Sequence, residues 1–122
     1  MEPVTIKINE VEYIRKDSIS QNAPKVNGLQ LVLVRTYSAG VHFGYLAKRE
    51  STIAGIEVTL RNARRIWYWK GACSLNQIAE EGVKNPDECK ISMPVKSIDL
   101  VAIEIIPISS VSNIDKVKEW KS

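Results

Sequence analysis

The sequence predicts a mainly β domain of the α+β class: a single small antiparallel sheet with two short helices and an N-terminal β-hairpin. Three observations point there. Apolar residues alternate with polar ones in several segments, as at Val4, Ile6, Ile8 and again at Ile56, Val58, Leu60, which is the period of a strand with one face covered. Two near-continuous apolar runs, Leu31 to Val34 and Leu100 to Ile106, read as neighbouring central strands buried on both sides. Helical signals are confined to two short stretches, each opened by a capping serine.

Taken in order, residues 4–16 read as a hairpin: Val4, Ile6 and Ile8 alternate with Thr5, Lys7 and Asn9, Asn9-Glu10 turns, and Val11, Tyr13 and Ile14 resume an extended pattern. A lone hairpin is marginal in water and needs a surface to dock on. Asp17 to Gly28 is rich in Ser, Asn, Pro and Gly and reads as a surface linker, which divides the chain into residues 1–27 and a β core of residues 28–122. Leu29 to Tyr37 forms a strand, Ala39-Gly40 turns, and Val41 to Lys48 returns as a second hairpin. Gly44 within that return suggests a bulge or a close backbone approach, by a packed ring or by a ligand. A third strand through Ile56, Val58 and Leu60 feeds into residues 61–70, where Asn62-Ala63 is a point of interruption.

Ser74-Leu75-Asn76-Gln77 is a capping box that opens a short helix, with Leu75, Ile78 and Ala79 on its apolar face and Gly82 at its end. Asn85-Pro86-Asp87 is a loop. Ile91 to Val95 is a strand that Pro94 confines to an edge or stops early, and Pro107 closes the strand through Leu100 to Ile106. Ser112 caps a last helix in which Ile114, Val117 and Trp120 recur every three residues. Six or seven strands are expected in all, with Leu33 and Ile103 as core positions where aspartate prevents folding.

The 122 residues fit one domain with apolar content for one core, and 17 basic against 14 acidic residues give a net charge of +3, too mild to mark a nucleic-acid protein by charge alone. A chain this small gains from association with copies of itself, so a homo-oligomer is expected, held by the N-terminal hairpin or by the C-terminal helix with Trp120. No apolar run approaches the roughly 20 residues that cross a bilayer, and Met1-Glu2-Pro3 does not open a signal peptide, so no membrane contact and a cytoplasmic location are expected. Cys73 and Cys89 lack metal or redox spacing and are expected as free thiols, with no metal and no cofactor.

Residues 61–70 concentrate the chemistry. Arg61, Arg64, Arg65 and Lys70 share this stretch with Trp67, Tyr68 and Trp69, and no acidic residue neutralises them. In an extended chain Arg65, Trp67 and Trp69 share one face, while Arg64, Ile66, Tyr68 and Lys70 share the other. Guanidinium forks hold phosphate and indoles stack planar bases, which suits a nucleotide-like ligand. The same pattern suits a core anchor with arginine stems laid across it. Arg35, Tyr37, Ser38 and His42 bracket the turn of the second hairpin and add donors and a ring at one end of the sheet. The candidate ligand-binding residues are therefore Arg35, Tyr37, His42, Arg64, Arg65, Trp67, Trp69 and Lys70. No catalytic residue is proposed: His42 is the single histidine, no carboxylate lies near it in sequence, and no nucleophile motif or phosphate loop is present.

Val34-Arg35-Thr36-Tyr37-Ser38-Ala39-Gly40-Val41-His42-Phe43-Gly44, then Ala63-Arg64-Arg65-Ile66-Trp67-Tyr68-Trp69-Lys70-Gly71-Ala72, and later Ile103-Glu104-Ile105-Ile106-Pro107, resemble a family of small uncharacterised proteins of tailed bacteriophages. The resemblance runs from about Leu31 to Trp120 and brings no residue roles with it. It implies a phage gene product acting in the bacterial host cytoplasm. Small phage proteins without catalytic machinery often bind host molecules, and the first expectation is a sponge that sequesters a nucleotide-derived immune signal. Direct inhibition of a host protein, nucleic-acid binding and a virion role are the alternatives.

Overall fold

The computed structural model describes residues 21–120. The hairpin expected over residues 4–16 and the first part of the linker lie outside them. The mainly antiparallel β architecture is as the alternation predicts: the described residues form five strands, β1 (Gln30–Thr36), β2 (Val41–Thr52), β3 (Gly55–Tyr68), β4 (Lys90–Ile91) and β5 (Val95–Pro107), with one helix, α1 (Leu75–Glu81). β1 pairs with β2, β2 with β3, β3 with β5, and β5 with β1, so four strands close a ring of antiparallel ladders. β4 adds to the far end of β3 at Ile66 and Tyr68.

This closure creates two apolar cores, one inside the ring and one outside it. Val32, Val34, Val58, Leu60, Ala63, Leu100 and Ala102 fill the interior. Leu31, Leu33, Phe43 and Ile66 point outward and are covered by Ile78 and Ala79 of α1, together with Val83, Ile91, Ile108, Ile114 and Val117. Side-chain alternation explains the division, since adjacent residues of β1 serve opposite cores. The continuous apolar run in β1 is thereby buried on both faces. β5 pairs with β1 as expected but is covered on one face only: Val101 and Ile103 stay exposed on the other. Ile103 is also the extra residue of a bulge, because Arg35 pairs with Glu104 while Thr36 pairs with Ala102.

Gly44 meets the backbone of β3. An alanine Cβ there would sit 3.0 Å from the Ala63 Cα and 3.0 Å from the Arg61 carbonyl oxygen. Gly44→Ala should therefore cost about 1–3 kcal/mol by overpacking the interior, read as a lower midpoint in urea denaturation. Opposite Gly44, β3 carries the extra residue: Tyr45 pairs with Arg61 and Phe43 with Arg64, with Asn62 in the left-handed region at φ 53°. Asparagine tolerates that conformation better than most residues. The expected interruption at Asn62-Ala63 is thus a bulge.

Residues 21–28 are tied to the body more closely than a linker would be. Asn22 bridges Ser109, the Ala23 amide donates to the Ile108 carbonyl at 2.8 Å, and Val26 exchanges backbone hydrogen bonds with Leu29. The serine half of the capping box forms as predicted, with the Ser74 hydroxyl accepting from the Gln77 amide and Gly82 ending the helix, while Gln77 Oε1 accepts from the Cys73 amide, one residue before the cap. The second helix does not extend as expected. A single 3-10 turn, Ile114–Lys116, stands in its place, and Val117 returns to extended backbone. A tertiary pairing competes with it: Glu119 bridges Ile91 in parallel, and within that bridge the Trp120 amide donates to the Ile91 carbonyl at 2.8 Å. The three-residue recurrence of Ile114, Val117 and Trp120 is carried instead by a turn and a short extended segment. Pro94, which lacks an amide donor, separates the two-residue β4 from β5.

Candidate functional site

The bulge at Asn62 decides which way the cationic aromatic segment points. Leu60 faces the ring interior, and an uninterrupted alternation would send Asn62 and Arg64 inward after it. The extra residue reverses the parity, so Ala63 packs in the interior and Arg65 and Trp67 follow on that side, while Arg64 and Ile66 turn to the outer core. Two neighbouring arginines thereby receive opposite environments. Arg64 is buried, lies over the Phe43 ring at 5.7 Å and donates from Nε to the Ser92 carbonyl at 2.8 Å. Its Nη2 has no hydrogen-bond partner among the described residues. Burial pulls this guanidinium below its ordinary pKa, opposed by the carboxylates of Glu119 and Asp115.

Arg65 faces a cleft of about 220 Å³ at the mouth of the ring, lined by His42, Ala63, Arg65, Trp67, Ser92, Met93, Val95 and Ile98. Its guanidinium lies 5.6 Å from the centre of the Trp67 ring. Trp67 is 60% exposed, so its indole is available to a ligand. Among the described residues Arg65 makes no ion pair. Its backbone is fixed by Ser92, which accepts from the Arg65 amide through Oγ at 2.8 Å and donates its own amide to the Arg65 carbonyl at 2.9 Å.

His42 stands opposite Arg65 in the ladder of β2 and β3, and opposite Val34 in that of β1 and β2. It therefore projects into the ring beside Val34 and is only 2% exposed. The turn from β1 to β2 holds it. Thr36 Oγ1 donates to the Gly40 carbonyl and accepts from the Ala39 amide, both at 2.8 Å, and the Ala39 carbonyl then lies 2.9 Å from His42 Nε2. Desolvation holds the imidazole below its ordinary pKa, aided by the nearby Arg65 charge and opposed by the Ala39 hydrogen bond.

Of the eight sequence-predicted site residues, the fold brings together His42, Arg65 and Trp67. Arg35 lies on the outer wall in a 2.6 Å ion pair with Glu104. Tyr37 projects from the turn and is 92% exposed. Trp69 follows the end of β3, packs against the outer core and donates its indole N–H to the Ala72 carbonyl at 3.3 Å. It serves as the core anchor that the aromatic pattern also allowed. Lys70 pairs with Glu88 at 3.0 Å. The apolar wall made by Met93, Val95 and Ile98 was not legible from the sequence, because Val95 and Ile98 reach the cleft through the pairing of β5 with β3, and Met93 follows Ser92, which bonds the Arg65 backbone. Pro94 is the one local signal near it, since it frees Met93 and Val95 from a continuous ladder.

Among the described residues no cluster of His, Cys, Asp or Glu could hold a metal ion, and no helix is long and apolar enough to cross a membrane. Cys73 is exposed, Cys89 is buried, and both are free thiols. No curated protein and no solved structure matches the chain. Residues 29–114, which span β1 through the last 3-10 turn's first residue, match the domain of unknown function DUF6948, and the chain belongs to that family.

Proposed function

We propose that this chain is a non-catalytic binder of a small nucleotide-derived anion, with Arg65 on phosphate and Trp67 against the base. The observation that carries this reading is the cation–π pair itself: a guanidinium without an ion-pair partner among the described residues, beside a half-exposed indole, at the rim of an apolar cleft. Guanidinium forks grip phosphate oxygens, and an indole stacks a base for about 1–3 kcal/mol. The cleft volume of about 220 Å³ lies below the roughly 300 Å³ at which enclosed ligand pockets begin, so it admits a base while the remainder of the ligand lies over Trp67. A second copy of the chain would supply further enclosure, which accords with a homo-oligomer.

Binding without turnover is favoured by the lining. Among the described residues it contains no carboxylate, and the one hydroxyl among them, Ser92 Oγ, is engaged with the Arg65 amide and the Met93 carbonyl. With the phage resemblance of the two long motifs, the reading becomes sequestration of a nucleotide signal inside a bacterium. Calorimetry with nucleoside monophosphates, cyclic nucleotides and ADP-ribose derivatives tests it, followed by mass spectrometry of ligand released on denaturation. Tight binding with intact recovered ligand is the expected result. Altered ligand would make the protein an enzyme, and affinity that rises with strand length and falls steeply with salt would make it a nucleic-acid binder. Absence of any binding would shift the cleft toward contact with a host protein.

A further inference from the structure

The opening of the cleft is apolar, which bears on the class of ligand if the binding site is the one proposed above. Three apolar side chains of its lining are exposed: Met93 at 63%, Trp67 at 60% and Val95 at 46%. They come from the end of β3, the link between β4 and β5, and the start of β5, so three separate segments bring exposed apolar surface to one opening. Surface of this kind, gathered in one place, marks a contact face. Arg65 belongs to the same lining and carries its charge over the Trp67 ring. Two copies meeting through this face would set Arg65 against Arg65, and like charges brought together repel. An anion between them removes the repulsion. The face therefore calls for a second copy and an anionic ligand together.

A two-fold contact presents the same patch from both partners, so it gathers two clefts, two indoles and two guanidiniums about one axis. Each cleft of about 220 Å³ takes one base. Charge then selects the phosphate. Burial holds His42 below its ordinary pKa and so neutral at pH 7, which leaves Arg65 as the one charged side chain of the lining among the described residues. A guanidinium balances the single negative charge of a phosphodiester, whereas a terminal phosphate monoester carries about −1.5 to −2 at neutral pH. Surplus negative charge enclosed against Met93, Val95 and Ile98 is costly. We propose that the ligand is a cyclic dinucleotide held between two copies of this chain, with each Trp67 against one base and each Arg65 on one phosphodiester.

The test sets cyclic di-UMP against UMP, and cyclic di-AMP against AMP, on the full chain. Calorimetry gives the stoichiometry, and sedimentation at the same protein concentration gives the mass. At least one cyclic dinucleotide should bind as one molecule per two chains and double the mass from its ligand-free value. Its mononucleotide should bind more weakly, as one molecule per chain, and leave the mass unchanged. Arg65→Ala and Trp67→Ala should each weaken cyclic dinucleotide binding by about tenfold or more and abolish the doubling. Binding of the cyclic dinucleotides as one per chain with no change of mass would overturn the inference, as would a doubling that persists in both variants. If a mononucleotide still binds and Arg65→Ala weakens it, the proposed site stands and only the shared ligand falls. Failure of all four nucleotides to bind overturns both.

Discussion

Leu33→Asp should leave the chain unfolded, while Ile103→Asp should fold with a stability within about 1 kcal/mol of the parent. Both residues sit in apolar runs that look alike in sequence. Leu33 is 0% exposed, lies in a strand paired on both edges and packs in the outer core beneath α1. A carboxylate there finds no water, and the cost of several kcal/mol consumes most of the roughly 5–15 kcal/mol that holds a small domain together. Ile103 occupies the bulge of β5 and is 47% exposed, so a carboxylate there remains solvated. Circular dichroism with urea denaturation distinguishes the two. A folded Leu33→Asp variant would contradict the double-core arrangement.

The second large effect concerns binding. Arg65→Ala should weaken nucleotide affinity by about 1.5–3 kcal/mol, the range of a charge-assisted hydrogen bond, and leave the unfolding midpoint nearly unchanged. Trp67→Ala should cost about 1–3 kcal/mol of affinity with similarly little effect on stability, because its ring is largely solvent-facing. Arg64→Ala should behave in the opposite way. It removes a buried guanidinium that covers Phe43 and bonds the Ser92 carbonyl, so it should destabilise the fold by about 1–3 kcal/mol. Calorimetry and denaturation on the same three variants separate these outcomes. Equal losses of affinity and stability at Arg65 would make it a structural residue.

Local pattern carried much of the fold. Val32 and Val34 alternate with Leu31 and Leu33, and that run marks a strand buried on both faces. Ser74 with Gln77 marks α1. The pattern fails where tertiary pairing overrides local preference. Ile114, Val117 and Trp120 have helical spacing, yet the backbone after Lys116 is used to bridge β4. Val101 and Ile103 have the composition of a covered face, yet no element of the described residues covers them.

The site was half legible for a similar reason. Arg65 and Trp67 share a strand face as alternation requires, and the turn that holds His42 was visible as Ala39-Gly40. The direction of that face depends on one residue, Asn62, whose left-handed backbone shifts the register. Whether an arginine enters a cleft or a core cannot be read without knowing that a bulge precedes it. Trp69 shows the same limit, since the strand ends at Tyr68 and the alternation ends with it.

The central claim is that ligand meets the protein at Trp67. Three tryptophans give three indole N–H signals in a ¹H–¹⁵N spectrum, each assignable by a single Trp→Phe variant. Trp69 has its N–H committed to the Ala72 carbonyl, and Trp120 lies beneath Lys90 Nζ at 5.2 Å, away from the cleft lining. Titration with UMP should move the Trp67 signal progressively to saturation and leave those of Trp69 and Trp120 in place. A Trp67 signal that stays fixed while another indole moves, or while none does, would contradict the cleft as the binding site.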